Sequence, residues 1–241
     1  MENCKFSVIV PTLHEEKAIE RTLCSLEMAK NKSGHIVEMI VVDGGSEDNT
    51  VKIANKYTKK VVFPKERGIG RARNFGAMHA DGDVLIFLDA DVIVPENFFD
   101  ELNRKLSVNG VCGANCNVMP HHEVNPSGFE RSFYAMWHNI RRVFYNIKPC
   151  GTGENGIIVS KDVFHKTGGF DESLGAIEDL DFMFRASKYG KFVYMKDLTI
   201  HETIRRFRKL GTPRFMLIYL SNFFHYLIFR NSRVKQWKPV R

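Results

Sequence analysis

The sequence lacks any cysteine pair at metal-ligand or redox spacing. Its five cysteines, Cys4, Cys24, Cys112, Cys116 and Cys150, are odd in number, scattered and without a CxxC. That pattern argues against a zinc ribbon and fits unpaired thiols in a reducing compartment. A secretory leader is also missing. Met1 to Lys5 run straight into the apolar stretch Phe6-Ser7-Val8-Ile9-Val10, too short for the core of a signal peptide, so the chain is expected in the cytoplasm. No internal repeat, low-complexity tract or linker divides it. One domain over residues 1–210 is expected, with a basic amphipathic helix and tail over 211–241.

Acids are almost absent from that C-terminal end. From His201 to Arg241 there are ten Lys/Arg and one acid, Glu202, so of the net +7 this segment carries +9 and the first 200 residues carry −2. A basic tail on a near-neutral body argues against a wholly basic nucleic-acid binder and points to a local anionic partner.

What is present is a regular alternation in the first half. Apolar runs at Phe6–Val10, Val37–Val42, Val61–Phe63 and Val84–Leu88 read as strands. Amphipathic stretches at Glu16–Lys30, Glu47–Lys59 and Gly70–Ala80 read as helices. Continuous apolar runs fit strands covered on both faces, so the pattern predicts an α/β, doubly wound, mainly parallel sheet flanked by helices. Ligands of such sheets sit beyond the carboxyl ends of strands. In the second half, Pro126–Asn146 and Glu178–Tyr189 read as helices, and a Gly-rich stretch over 151–156 leads into a strand at Ile157–Val159.

Polar residues with chemistry follow the strand ends. In Asp89-Ala90-Asp91, alternation puts both carboxylates on one side of an extended segment, a donor pair suited to Mg²⁺ or Mn²⁺. Alone, such a motif describes a solvated turn equally well. Asp43-Gly44-Gly45-Ser46 lets backbone approach a base or ribose, with Asp43 as an acceptor. Arg67, Arg71 and Arg73 stand at a helix start, a cradle for phosphates. Glu178 and Asp179 open another helix and offer a general base. His201 is a candidate third metal ligand, and Arg205 and Arg206 can offset charge on a leaving diphosphate.

The ordered set of motifs resembles the family 2 glycosyltransferases, the inverting family with the GT-A fold. It comprises Ser7-Val8-Ile9-Val10-Pro11-Thr12 with Glu15-Glu16, Val41-Val42-Asp43-Gly44-Gly45-Ser46, Ala72-Arg73-Asn74 with Gly76, Leu88-Asp89-Ala90-Asp91, Gly168-Gly169-Phe170-Asp171-Glu172, and Glu178-Asp179. The resemblance implies metal-dependent transfer, with inversion, from a UDP- or GDP-linked sugar to an acceptor hydroxyl or lipid phosphate. By it Pro11, Thr12, Glu15, Asp43, Arg67, Arg71, Arg73 and Asp89 look like donor-nucleotide positions. Asp91, with Asp89, looks like the metal-holding pair, Asp179 like the base, and Arg205-Arg206 like diphosphate supports. Leu13-His14 and Gly44 depart from the commoner motif, so it does not select a nucleobase. A nucleotidyltransferase is the alternative on the same sheet, but Pro11-Thr12-Leu13-His14-Glu15-Glu16 has no glycine loop.

The longest apolar run, Phe215–Phe229, is 15 residues, short of the ~20 that span a bilayer. Ser221, Asn222 and His225 interrupt it on one side of the helix, and basic residues flank it. An interfacial helix on anionic lipid at the inner face of the cell membrane fits best, with a lipid-borne acceptor; a contact between copies of the chain is the competing reading.

Overall fold

Four apolar runs of the first ninety residues form one parallel sheet half, three of them covered on both faces and the fourth a partly buried edge. In a computed structural model, which describes residues 4–122, 125–147, 156–232 and 234, β1 (Lys5–Thr12) lies at its centre. It pairs in parallel with β2 (Ile36–Asp43) from Lys5↔Ile36 to Thr12↔Asp43, and with β4 (Val84–Phe87) on its other edge. β3 (Lys60–Val62) continues from β2. Phe6, Val8 and Val10 face one core layer with Leu23 and Leu26 of α1 (Ile19–Ser33) and Phe98, Phe99 and Leu102 of α4 (Phe98–Leu106). Ile9, Ile40 and Leu85 face the opposite layer with Ala72 and Ala77 of α3 (Ile69–Met78). Between β2 and β3, α2 is shorter than its pattern suggests, Thr50–Ala54, because 47–49 are spent in a loop.

The second half reverses the chain direction. Full strand order is β3-β2-β1-β4-β7-β6-β8-β5. β7 (Ile157–Ser160) runs antiparallel to both β4 and β6 (Val111–Pro120). β8 (Lys191–Glu202) is parallel to β6, and β5 (Val92–Ile93) closes the edge antiparallel to β8. The sheet is thus mixed, with β1 to β4 as its parallel block. α6 (Lys161–Thr167) and α7 (Glu178–Ala186) complete the α3 layer through Phe164, Phe182 and Met183.

Gly76 sets how close α3 comes. A Cβ there would stand 2.4 Å from Ile9 Cγ2 and 2.9 Å from Val42 Cγ2, so only glycine lets the helix settle onto the sheet. α5 (Gly128–Ile147) starts with a reciprocal cap: Ser127 N–H donates to Glu130 at 2.7 Å and Glu130 N–H donates to Ser127 Oγ at 3.2 Å. Arg208 of α8 (Arg205–Leu210) adds two bonds to the same carboxylate, at 2.7 and 2.9 Å. The last helix, α9 (Thr212–Phe229), turns Asn222 and Tyr226 inward and leaves Leu217, Leu220, Phe224, Leu227 and Ile228 exposed. Among the described residues no helix is long and apolar enough to cross a membrane. Cys4, Cys24, Cys112 and Cys116 are free thiols; Cys150 and the Gly-rich residues 151–155 lie outside the described residues.

Candidate active site

Two loops at the carboxyl ends of β1 and β2 are joined by their own amides. His14 N–H donates to Ser46 Oγ at 2.8 Å, Glu15 N–H to Thr50 Oγ1 at 2.8 Å and Glu16 N–H to Asp48 at 3.3 Å. Asp43 organises the turn between them. Its Oδ2 accepts from the backbone N–H of Gly45 and Ser46, and its Oδ1 accepts from the hydroxyls of Thr12 and Ser46, at 2.6 to 3.1 Å. Buried to 1 % exposure, this carboxylate shapes the loop; contact with a base requires one hydroxyl to turn away. Arg67 donates to the carbonyls of Gly44 and Gly45 at 3.0 and 3.3 Å, so its guanidinium lies along the same loop.

The motif after β4 is a tight turn rather than the extended segment expected, with Val92 N–H donating to the Asp89 carbonyl at 3.3 Å. Ala90 points into the core and its carbonyl accepts from Thr22 at 2.8 Å, while Asp89 and Asp91 keep 37 % and 19 % of their side chains exposed. Asp91 Oδ2 accepts from the Thr203 hydroxyl and, at 3.2 Å, from Arg205, whose guanidinium also reaches Glu15 at 2.7 Å. Arg205 therefore spans the β1 loop and Asp91. Burial works against its charge, but Glu15 and Asp91 outweigh that and raise its pKa. Glu15 is raised, first by burial and then by the negative charges of Asp91 and Asp89, against Arg205. Both acids of the motif thus act on one point. A cleft lined by His14, Lys17, Arg21, Asp48, Thr203 and Arg205 opens beside it.

Arg73 connects the motif after β4 to α7. Only 4 % exposed, it donates to Glu178 at 2.8 Å and to Asp89 at 3.3 Å, with the Phe170 ring 5.2 Å from its guanidinium carbon. Burial opposes its charge and the acids Glu178, Asp89 and Asp179 override it, so its pKa is raised. Glu178 is pushed up to about 7, by burial first and then by Asp179, against Arg73. Asp179, also buried, accepts from the Leu180 N–H at 2.7 Å. Like charges packed at a helix start, with one guanidinium shared between them and Asp89, form a cluster suited to proton transfer.

Two expectations change here. The guanidinium groups of Arg67, Arg71 and Arg73 do not form one phosphate cradle: Arg71 turns outward to Glu66 and Glu172, and Arg73 is consumed inside. The helical turn separates them, whatever their nearness in sequence. His201 does not complete a ligand set with Asp89 and Asp91. It packs edge-on to His121 at 6.0 Å, and burial followed by repulsion from His121 and His122 lowers its pKa. Among the described residues no group of three His, Cys, Asp or Glu is arranged to hold a metal. Asp89 and Asp91 still suit Mg²⁺ or Mn²⁺, which need only one or two protein carboxylates when diphosphate and water supply the rest. The Arg206 side chain lies outside the described residues. Conversely, Thr203 and Tyr226 join the site without a sequence signal, one as a strand-end hydroxyl on Asp91 and the other in a run that reads as plain apolar helix.

The family model for glycosyl transferase family 2 matches residues 7–167. The chain is 27 % identical over 195 residues to the poly(ribitol-phosphate) beta-N-acetylglucosaminyltransferase TarS of Staphylococcus aureus, covering 76 % of this chain and 32 % of that protein. It is also 27 % identical over 213 residues to the O-antigen chain rhamnosyltransferase WbaN of Salmonella anatum, covering 82 % of this chain and 66 % of that one. It thus spans about a third of the length of TarS. Among solved structures, the mannosyltransferase PcManGT of Pyrobaculum calidifontis, in complex with GDP-Man and Mn²⁺, matches with a TM-score of 0.70 at 20 % identity over 97 % of this chain and 66 % of that one. The crystal structure of TarS matches with a TM-score of 0.65 at 22 % identity over 95 % and 44 %. These likenesses show a shared GT-A architecture, and the family match covers most of the domain. The chain belongs to glycosyl transferase family 2.

Proposed function

We propose that the chain transfers a sugar, with inversion, from a UDP- or GDP-linked donor to an acceptor hydroxyl or lipid phosphate. The observation that carries this reading is Arg73, which brings Asp89 of the β4 motif and Glu178 of α7 to one buried guanidinium. Donor-side and acceptor-side acids therefore meet across a single side chain. The molecules bound in the structural relatives, GDP-Man with Mn²⁺ in PcManGT and UDP-GlcNAc in TarS, fit the same division.

In this reading Pro11, Thr12, Glu15 and Arg67 border the nucleoside, with Asp43 holding the loop in shape. Asp89 and Asp91 would hold a divalent cation, which when bound would supply positive charge to offset that of the departing diphosphate. Arg205 stands beside them, able to move from Asp91 to phosphate oxygens. Asp179 takes the proton from the attacking hydroxyl as the bond to diphosphate breaks, and Glu178 is the strut that fixes it against Arg73. An acceptor phosphate needs no such base, so the dependence on Asp179 separates the two acceptor classes.

The exposed stripe Leu217, Leu220, Phe224, Leu227 and Ile228, with exposed Arg208, Lys209, Arg214 and Arg230 at its two ends, supports peripheral binding to an anionic membrane. A second copy of the chain is the other occupant of that stripe.

Thermal shift across UDP- and GDP-sugars with Mn²⁺ or Mg²⁺ tests the reading. Stabilisation that disappears with chelator and in Asp91→Ala is expected, and Asp179→Asn is expected to keep it while transfer to a hydroxyl collapses. A wild-type response indifferent to chelator sinks the metal assignment.

A further inference from the structure

A residue in an unusual conformation sits immediately before the α7 acids. Ile177 has φ +69°, a left-handed backbone that a β-branched side chain adopts only where its surroundings impose it. Those surroundings come from α9. Leu174, Ala176, Ile177 and Leu180 bury together with Tyr226, and Phe223 and Val234 pack alongside. Tyr226 is 4 % exposed and its hydroxyl donates to Asp181 Oδ1 at 2.6 Å. Asp181 lies in the first turn of α7, its other oxygen takes Arg185 at 2.7 Å, and its amide donates to the Ile177 carbonyl at 3.0 Å. The Arg230 guanidinium lies 5.4 Å from the outer face of the Tyr226 ring. The turn that presents Glu178 and Asp179 is therefore gripped through both its apolar side and its first helical acid by one side chain of the C-terminal helix.

We infer that Tyr226 is a positioning residue for the transfer reaction: its bond to Asp181 and its packing on Ile177 hold the strained turn that aims Asp179. This rests on the assignment of Asp179 as the base. It gives α9 a role beyond its exposed face, since whatever surface captures the outer stripe bears on a helix whose inner face sets the catalytic turn.

The test uses the full chain and Tyr226→Phe, which removes the hydroxyl and keeps the ring. UDP or GDP binding with Mn²⁺ is measured by calorimetry, turnover by sugar release from the donor or transfer, and backbone exposure of residues 174–181 by hydrogen exchange. Nucleotide affinity within about twofold, turnover down by about tenfold and faster exchange over 174–181 are expected, the scale set by a sub-ångström misplacement of a reacting group. Tyr226→Phe with Asp181→Ala is expected to be no slower than Asp181→Ala alone, because the alanine has already removed the acceptor of the Tyr226 hydroxyl. Should Tyr226→Phe fail to fold, Asp181→Ala is read in the same way, with Arg185→Gln as the control for the Asp181–Arg185 pair that it also breaks. Unchanged turnover with unchanged exchange overturns the inference, as does a turnover loss matched by an equal loss of nucleotide binding. If the wild type binds neither nucleotide, the sugar-transfer reading fails, and the exchange over 174–181 still decides whether Tyr226 holds the turn.

Discussion

Arg73 donates to Glu178 at 2.8 Å with both side chains at 8 % exposure or less. Above pH 7, where Glu178 is ionised, removing Arg73 leaves Glu178 and Asp89 without their shared cation, which costs about 3–5 kcal/mol for such buried pairs. Arg73→Ala is expected to lower unfolding free energy by that order. Arg73→Lys is expected to recover only part of it, because a single ammonium does not reproduce a fork reaching two acids. Urea unfolding measures both; a loss below about 1 kcal/mol for Arg73→Ala would show that the contact carries little.

Two buried carboxyls give opposite pH signatures. Glu178, raised from 4.5 to about 7, is protonated in the folded chain across that window. Its contribution to stability is complete below 4.5 and is lost as pH rises toward 7. Glu130 is lowered from 4.5 to about 2, chiefly by the Arg208 hydrogen bonds. Its contribution is present above 4.5 and is lost as pH falls toward 2. In melting curves against pH, Glu178→Gln is expected to flatten the decline between 4.5 and 7 and Glu130→Gln the decline below 4.5. Identical slopes in both variants and wild type count against this assignment.

Gly76→Ala places a methyl group 2.4 Å from Ile9 Cγ2. Since Ile9 is in the central strand, α3 must lift, at a cost of about 1–3 kcal/mol or more from overpacking. Because Arg73 rides on α3, donor-dependent stabilisation is expected to weaken together with the melting temperature. A variant as stable as wild type would mean the helix is free to shift.

Phe224→Asp with Ile228→Asp changes two exposed side chains of α9, each contributing about 1.5–3 kcal/mol when buried in an apolar phase. Sedimentation with anionic vesicles is expected to fall by at least about tenfold, and added salt is expected to weaken wild-type binding. Unchanged vesicle binding rules out this face as the membrane contact, and a dimer-to-monomer change instead assigns the stripe to a second copy.

The first half of the fold was legible because its strands are uninterrupted apolar runs and its functional residues sit at their ends. Ile36–Asp43 and Val84–Phe87 fall within a residue or two of their expected limits. β6 and β8 were not legible. β6 puts Gly113, Asn115 and Asn117 on one face, and β8 carries Lys196 and Asp197 at the register shift between its Cys116- and Asn117-paired segments, so neither reads as a strand. Within the site, the acids announced themselves by spacing, but partner choice did not. Arg73 and Arg71 look alike in sequence, and only the seating of α3 sends one inside and the other out.

Joining residues 14–16 to residues 46–50 through main-chain donors has a consequence for altering donor choice. The hydroxyl and carboxylate acceptors on the second loop set where the backbone of the first one runs. With these loops bordering the nucleoside as proposed, a change of nucleoside calls for grafting both segments at once, since a lone substitution in either shifts its neighbour first.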